Sequence, residues 1–218
     1  MNDFSNRSTI HATFCFCLRH LFETIKHYTF LTNTVFINKH FDLVERCKRG
    51  ESKAQYELYK HYSKAMFSVC MRILNHVGEA EDILQESFID AFAKIGDFRQ
   101  EATFGVWLKQ IVVNKAINQI RSRKMQLVDI DELGGDEYDI ADYQESYNEE
   151  EVKFEVERVK RAMEQLPEGF RVVLSLYLFE GYDHEEIGRI LYINESTSRT
   201  QYMRAKKRLL EIINRQMF

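Results

Sequence analysis

From Phe41 onward, apolar residues recur at three- and four-residue steps: Leu43, Val44 and Cys47, then, past Gly50, Tyr56, Leu58, Tyr59, Tyr62, Met66, Val69, Cys70, Ile73 and Leu74. A stripe of that period is the buried face of an amphipathic helix. A new helix is predicted to start near Gly78 or Glu79, to bury Ile83, Leu84, Phe88, Ala91, Phe92 and Ile95, and to stop at Gly96. Residues 98–103 read as a loop, and Trp107 to about Lys124 as the next helix, anchored by Trp107, Leu108, Ile111 and Val112. Periodicity then lapses until residue 152. A helix follows to Leu166, Pro167 stands where another can begin, and Phe170–Phe179 is almost continuously apolar before Gly181 ends it. The last two helices, Asp183–Leu191 and Glu195–Ile213, are separated only by Tyr192, Ile193 and Asn194. The predicted fold is all-α: two small helical bundles, the C-terminal one containing a helix-turn-helix.

Composition narrows this little, but agrees with it. The chain has 218 residues, of which 9 are Gly and 1 is Pro, too few turn formers for a barrel or sandwich of many short strands. No stretch approaches the ~18 apolar residues of a membrane span, and the N-terminus lacks the features of a signal peptide. Cys15, Cys17, Cys47 and Cys70 sit in or beside apolar runs, as reduced thiols do. A cytoplasmic protein with no membrane insertion is expected.

Charge is more telling once it is divided along the chain. The net charge of -4 conceals +1 over residues 1–37, +4 over 38–124, -11 over 125–151 and +2 over 152–218. Two mildly basic blocks flank a segment without Lys or Arg that contains Gly134 and Gly135, the composition of a flexible linker. The expected domains are therefore an N-terminal extension, disordered or not translated (1–38), a first helical domain (39–124), an acidic linker (125–151) and a second helical domain (152–218). Two basic units joined by a segment that repels polyanions suit two nucleic-acid contacts.

Three constellations carry chemistry. Asp183 and Glu186 have capping-box spacing at the start of the helix-turn-helix. Its second helix offers Thr197, Arg199, Thr200, Gln201, Arg204, Lys206 and Lys207, with short polar groups and an amide for base edges at its start and cations for phosphates further on. A helical hairpin with a solvated basic face is the plain alternative, which the coincidence of cap, turn and basic helix in this order disfavours. Second, Gln110, Asn114, Asn118 and Arg121 form one polar stripe, with Lys115 beside it and no acid between 107 and 124. Phe98, Phe104 and Trp107, with Arg99 in the loop, suit the stacking of an unpaired base, although core packing is the commoner use of such a Trp. Third, Asp82, Gln85 and Glu86 share one helical face, which by itself is most often just solvated surface.

The order of these parts resembles the extracytoplasmic-function group of bacterial sigma-70-type RNA polymerase sigma factors. The matching residues are Ala80–Phe88, Phe104-Gly105-Val106-Trp107-Leu108, Val113–Arg121, and Leu166-Pro167 leading into the C-terminal motif. The resemblance implies that Asp82, Gln85 and Glu86 bind the clamp coiled coil of the largest subunit of core RNA polymerase. It assigns Phe98, Arg99, Phe104, Asn114, Lys115, Asn118 and Arg121 to the minus-ten element of promoter DNA, one of whose bases is flipped out as the duplex opens. It assigns Thr197, Arg199, Thr200, Gln201, Arg204, Lys206 and Lys207 to the minus-thirty-five element, with the C-terminal domain near the polymerase flap. An anti-sigma factor is an expected partner, and no cofactor or metal is implied.

Three positions depart from the family pattern: Tyr192 where Gly is frequent in the turn, Ser198 where Val packs inward, and Gly188 where Ala is usual. Gly134-Gly135-Asp136-Glu137 echoes the diguanylate cyclase signature, but no apolar strands flank it. His11, Cys15, Cys17 and His20 match no strong zinc spacing. No nucleophilic triad or phosphate-cradling loop is present, so an enzyme is not expected. A conventional helix-turn-helix regulator, which binds duplex DNA alone, leaves the Asp82 face and the Asn114 stripe without a purpose.

Overall fold

A short helix α1 (Phe41–Lys48) turns through Gly50, whose φ of 83° only glycine adopts freely, into the long α2 (Ser52–Leu74). Helix α3 (Val77–Ala93) starts under His76, whose Nδ1 accepts from the Glu79 amide at 3.3 Å, and gives way to a 3-10 turn at Ile95–Asp97. Helix α4 (Phe104–Ser122) begins one turn before the expected Trp107, because the Thr103 hydroxyl accepts the Val106 amide at 3.3 Å and so caps it. A second group follows: α5 (158–164), α6 (Glu168–Leu178), α7 (His184–Leu191) and α8 (Glu195–Arg215). The computed structural model describes residues 40–99, 102–123 and 158–215. The expected extension, the acidic linker, the Gly134-Gly135-Asp136-Glu137 motif and the His11–His20 set lie outside them. Among the described residues every regular element is a helix, no set of three or more metal-ligating side chains occurs, and no helix is long and apolar enough to cross a membrane.

Helices α2, α3 and α4 pack around Leu58, Ile73, Leu74, Leu108, Val112 and Ile120, all essentially inaccessible to water. Close approach is built in at Gly105, where a Cβ atom would stand 2.9 Å from the Tyr62 ring. The same apolar cluster continues into Val172, Val173 and Leu176 of α6 and Ile187 of α7. A second, smaller core joins Val159 and Met163 of α5, Leu166 in the link that follows, Leu174 and Leu178 of α6, and Leu209 and Ile213 of α8. The two helical groups are therefore docked on one another, with α6 belonging to both cores.

Polar contacts finish that junction. Glu180, just past α6, has a side chain only 2% exposed, and its carboxylate accepts from Arg72 Nη2 of α2 at 2.5 Å. Lys109 Nζ of α4 donates to the Glu180 carbonyl at 2.8 Å and lies 3.8 Å from its carboxylate. Burial draws the Lys109 ammonium below the usual lysine range, opposed by the charge of Glu180. Asn75, which ends α2 in the left-handed region at φ 53°, donates to the Glu164 carbonyl at 3.1 Å. Cys47 and Cys70 are buried free thiols, pushed up to about 11 and about 12 by desolvation, so neither is a reactive thiolate near neutral pH.

Candidate polymerase and nucleic-acid surfaces

Helix α3 buries Ala80, Ile83, Leu84, Ser87 and Phe88 and turns its other face outward. Asp82, Gln85 and Glu86 lie together on that outward face, followed one turn on by Ile89, 67% exposed. The structure thus brings the three sequence-named residues into one patch of two carboxylates, an amide and an uncovered aliphatic side chain. The Ile89 contribution was not anticipated, although its i+7 spacing from Asp82 marks it.

Helix α4 lies against α3 and presents Gln110, Asn114 and Asn118 to solvent on its polar side. Lys115, expected to meet DNA, instead bridges to the neighbouring helix, 3.2 Å from Glu86 and 3.1 Å from Asp90. Desolvation works against its charge, but the two carboxylates outweigh it and hold the ammonium above its usual range. Arg121 is half-buried and divided between partners: Nη1 donates to Asn118 Oδ1 at 3.1 Å, Nη2 donates to the Ile190 carbonyl of α7, and the guanidinium lies 4.3 Å from the centre of the Tyr192 ring.

Phe98 and Phe104 require a correction. Both rings are buried, at 7% and 5% exposure, and pack 5.1 and 5.8 Å from the ring of Trp107. Turned inward, they are not free to stack on a base, because a Phe without a polar edge gains most by complete burial. Trp107 is half-buried and Arg99 is exposed at the edge of that loop.

In the helix-turn-helix the capping box is complete: Asp183 Oδ1 accepts the Glu186 amide at 2.7 Å and Glu186 Oε2 accepts the Asp183 amide at 2.9 Å. Thr197, Arg199, Thr200 and Lys207 are exposed on α8, while Gln201, Arg204 and Lys206 are half-buried. Arg199 pairs with Glu195 one turn back at 2.5 Å, and Thr200 donates to the Ser196 carbonyl at 2.9 Å. Lys206 stands 5.6 Å over the Tyr202 ring.

The three departures from the family pattern acquire physical reasons here. Ser198 is fully buried, and its hydroxyl lies 3.0 Å from His184 Nδ1, while the imidazole stacks on Tyr177 with centroids 4.5 Å apart; a polar side chain replaces an apolar one because it has a partner. Tyr192 holds the left-handed conformation at φ 57°, a cost of about 1 kcal/mol for a residue with a Cβ, and its exposed ring receives Arg121, which offsets about 0.5–2 kcal/mol. Gly188 leaves room for the turn to fold back, accepting the Tyr192 and Ile193 amides. An added Cβ at 188 would stand 2.8 Å from the Ile193 carbonyl oxygen. Gly188→Ala is accordingly expected to cost about 2 kcal/mol, seen in calorimetry as a melting temperature lower by about 4–8 °C.

Arg72, Lys109 and Glu180 were missed as a group. Their positions in sequence carry no common motif, and only the docking of α6 on α2 and α4 unites them.

Comparison with known proteins agrees with this layout. The Sigma-70 region 2 family model matches residues 58–125, and the Sigma-70 region 4 model matches residues 157–209. The RNA polymerase sigma-H factor of Pseudomonas aeruginosa is 32% identical over 171 residues, spanning 76% of this chain and 89% of that protein. The ECF RNA polymerase sigma-E factor of Escherichia coli is 31% identical over 174 residues with the same coverage. Among solved structures, the sigma factor RpoE bound to the anti-sigma factor NepR from Bartonella quintana is 21% identical, with a TM-score of 0.47, over 73% of this chain and 96% of that one. The chain belongs to the extracytoplasmic-function group of the sigma-70 family and is an RNA polymerase sigma factor.

Proposed function

We propose that Asp82, Gln85 and Glu86 dock the chain on the clamp coiled coil of core RNA polymerase, and that two further surfaces read a promoter in two parts. The observation that carries this reading is the joint exposure of the three α3 residues beside the amide stripe of α4, which a self-sufficient duplex binder does not need. Asn114 and Asn118 face the melted minus-ten strand, with Arg99 at the loop edge and with Arg121 and Lys115 once their present partners exchange. Thr197, Arg199, Thr200 and Gln201 face base edges of the minus-thirty-five element, and Arg204, Lys206 and Lys207 face its phosphates. The working units are residues 39–124 and 152–218, the second docking near the flap, with 125–151 as an acidic connection between them.

Promoter opening on this reading needs no covalent step. Capturing a flipped base offsets the few kcal/mol lost in unpairing and unstacking it, and cationic contacts to phosphate supply the remainder. The chain acts in the cytoplasm, and an anti-sigma factor holds it between signals. Purified core polymerase, supplied with this protein and a genomic fragment library, is expected to yield new transcript starts that share a two-part upstream motif. If a folded preparation gives no new starts and does not co-elute with core polymerase, the reading fails.

A further inference from the structure

Helices α3, α4 and α7 each begin under a side chain that accepts an amide. His76 Nδ1 takes that of Glu79 at 3.3 Å, the Thr103 hydroxyl that of Val106 and the Asp183 carboxylate that of Glu186. The first cap differs from the other two in kind. A hydroxyl accepts at any ordinary pH, and a carboxylate keeps its charge down to about pH 4, whereas an imidazole takes up a proton between about pH 5 and 8. Both ring nitrogens of the imidazolium are donors, so Nδ1 no longer accepts. Its charge then also stands against the positive end of the helix dipole. As the pH falls, a favourable contact at the start of α3 turns into a repulsive one.

We propose that His76 is an acid-sensitive cap on the polymerase-docking helix, holding the first turn of α3 while its imidazole is neutral and releasing it on protonation. The link to docking rests on the polymerase reading above. His76 is exposed, so solvent protons reach it, and its extended backbone, at φ -145° and ψ 119°, sets the ring against Gly78, where an added Cβ would stand 3.5 Å from Cε1. The turn it holds ends at Ala80, which is fully buried, and Asp82 follows two residues on. Fraying of that turn therefore withdraws support from the first residue of the docking face. The charged groups around the cap come from four helices. Glu79 of α3 and Glu168 of α6 both pair with Arg123 of α4, and Glu164 of α5 meets the preceding turn through its carbonyl, which accepts from Asn75. Among the described residues no carboxylate pairs with His76, so no ion pair replaces the cap once the ring is charged.

Calorimetry of the full chain at about pH 8 and about pH 5.5, near the two ends of the imidazole range, tests the cap. His76→Asn supplies a cap that does not titrate, and His76→Ala supplies none. The gap by which the wild type melts below His76→Asn is expected to widen by about 2–4 °C on going to the lower pH. The gap between His76→Ala and His76→Asn is expected to stay constant. Affinity for purified core RNA polymerase is read as the ratio of wild type to His76→Asn, so that the pH dependence of the polymerase cancels. That ratio is expected to fall about threefold over the same interval, because a smaller fraction of the chain is competent to dock. A wild-type gap that does not widen, or that widens no more than the His76→Ala gap, overturns the proposal, as does an affinity ratio that ignores pH. If no form binds core polymerase, the sigma-factor reading falls on its own, and calorimetry still decides whether His76 is an acid-sensitive cap.

Discussion

Reversing the charge at Asp82, in Asp82→Lys, is expected to weaken binding to core RNA polymerase by ten- to a hundredfold while the helical content and melting temperature stay those of the wild type. Close charge pairs across protein interfaces couple by about 1.5 kcal/mol or more, and each 1.4 kcal/mol is tenfold in affinity. Asp82 is a cleaner probe than Glu86. Both are exposed on α3, but Glu86 also accepts Lys115 of α4 at 3.2 Å, so its reversal disturbs the junction of two helices as well as the docking face. Binding measured by fluorescence anisotropy of labelled full-length chain decides the matter; retention of wild-type affinity would remove α3 from the polymerase interface.

The second large effect is expected at Glu180. Glu180→Ala strips the carboxylate from a site where its side chain is 2% exposed and leaves Arg72 and Lys109 facing one another without it. Breaking one side of a buried ion pair costs about 3–5 kcal/mol, and the lower end applies because the Arg72 side chain keeps 29% of its exposure and remains partly hydrated. At about 3 kcal/mol, calorimetry should show the melting temperature falling by about 6–12 °C. A cycle with Lys109→Met separates pairing from packing. The double variant Glu180→Ala, Lys109→Met is expected to be about 1–2 kcal/mol more stable than the sum of the single changes predicts, because the uncompensated charge at 109 has gone. Strict additivity would show that Lys109 and Glu180 are neighbours without being partners.

Local signals were legible in the sequence and non-local ones were not. Asp183 and Glu186 could be read as a capping box because both hydrogen bonds of that motif lie within three residues. The apolar stripe from Trp107 sets the predicted start of α4 three residues late, because the Thr103 cap that fixes the true start lies in the segment that reads as a loop. The aromatic residues at 98 and 104 misled for a different reason. Composition cannot say on which side of a loop a ring lies, and here both lie inward. Arg121 reads as part of a polar stripe, but a helix periodicity does not distinguish a polar face that meets water from one that meets another helix group. Glu180 carries no signal in the sequence; its importance exists only once α6 lies against α2 and α4. Ser198 was noted as an anomaly, and its explanation, His184, lies fourteen positions earlier and becomes a neighbour only through the turn.

That turn has a consequence for how promoter preference can change. With the Ile193 carbonyl seated 2.8 Å from where a side chain at 188 would begin, the turn between α7 and α8 is closed tightly over the end of α7, and a side chain at 188 requires it to shift. On the proposed reading, in which α8 meets the upstream element, the exposed positions 197, 199 and 200 are then the places where a side chain can be exchanged without disturbing the turn.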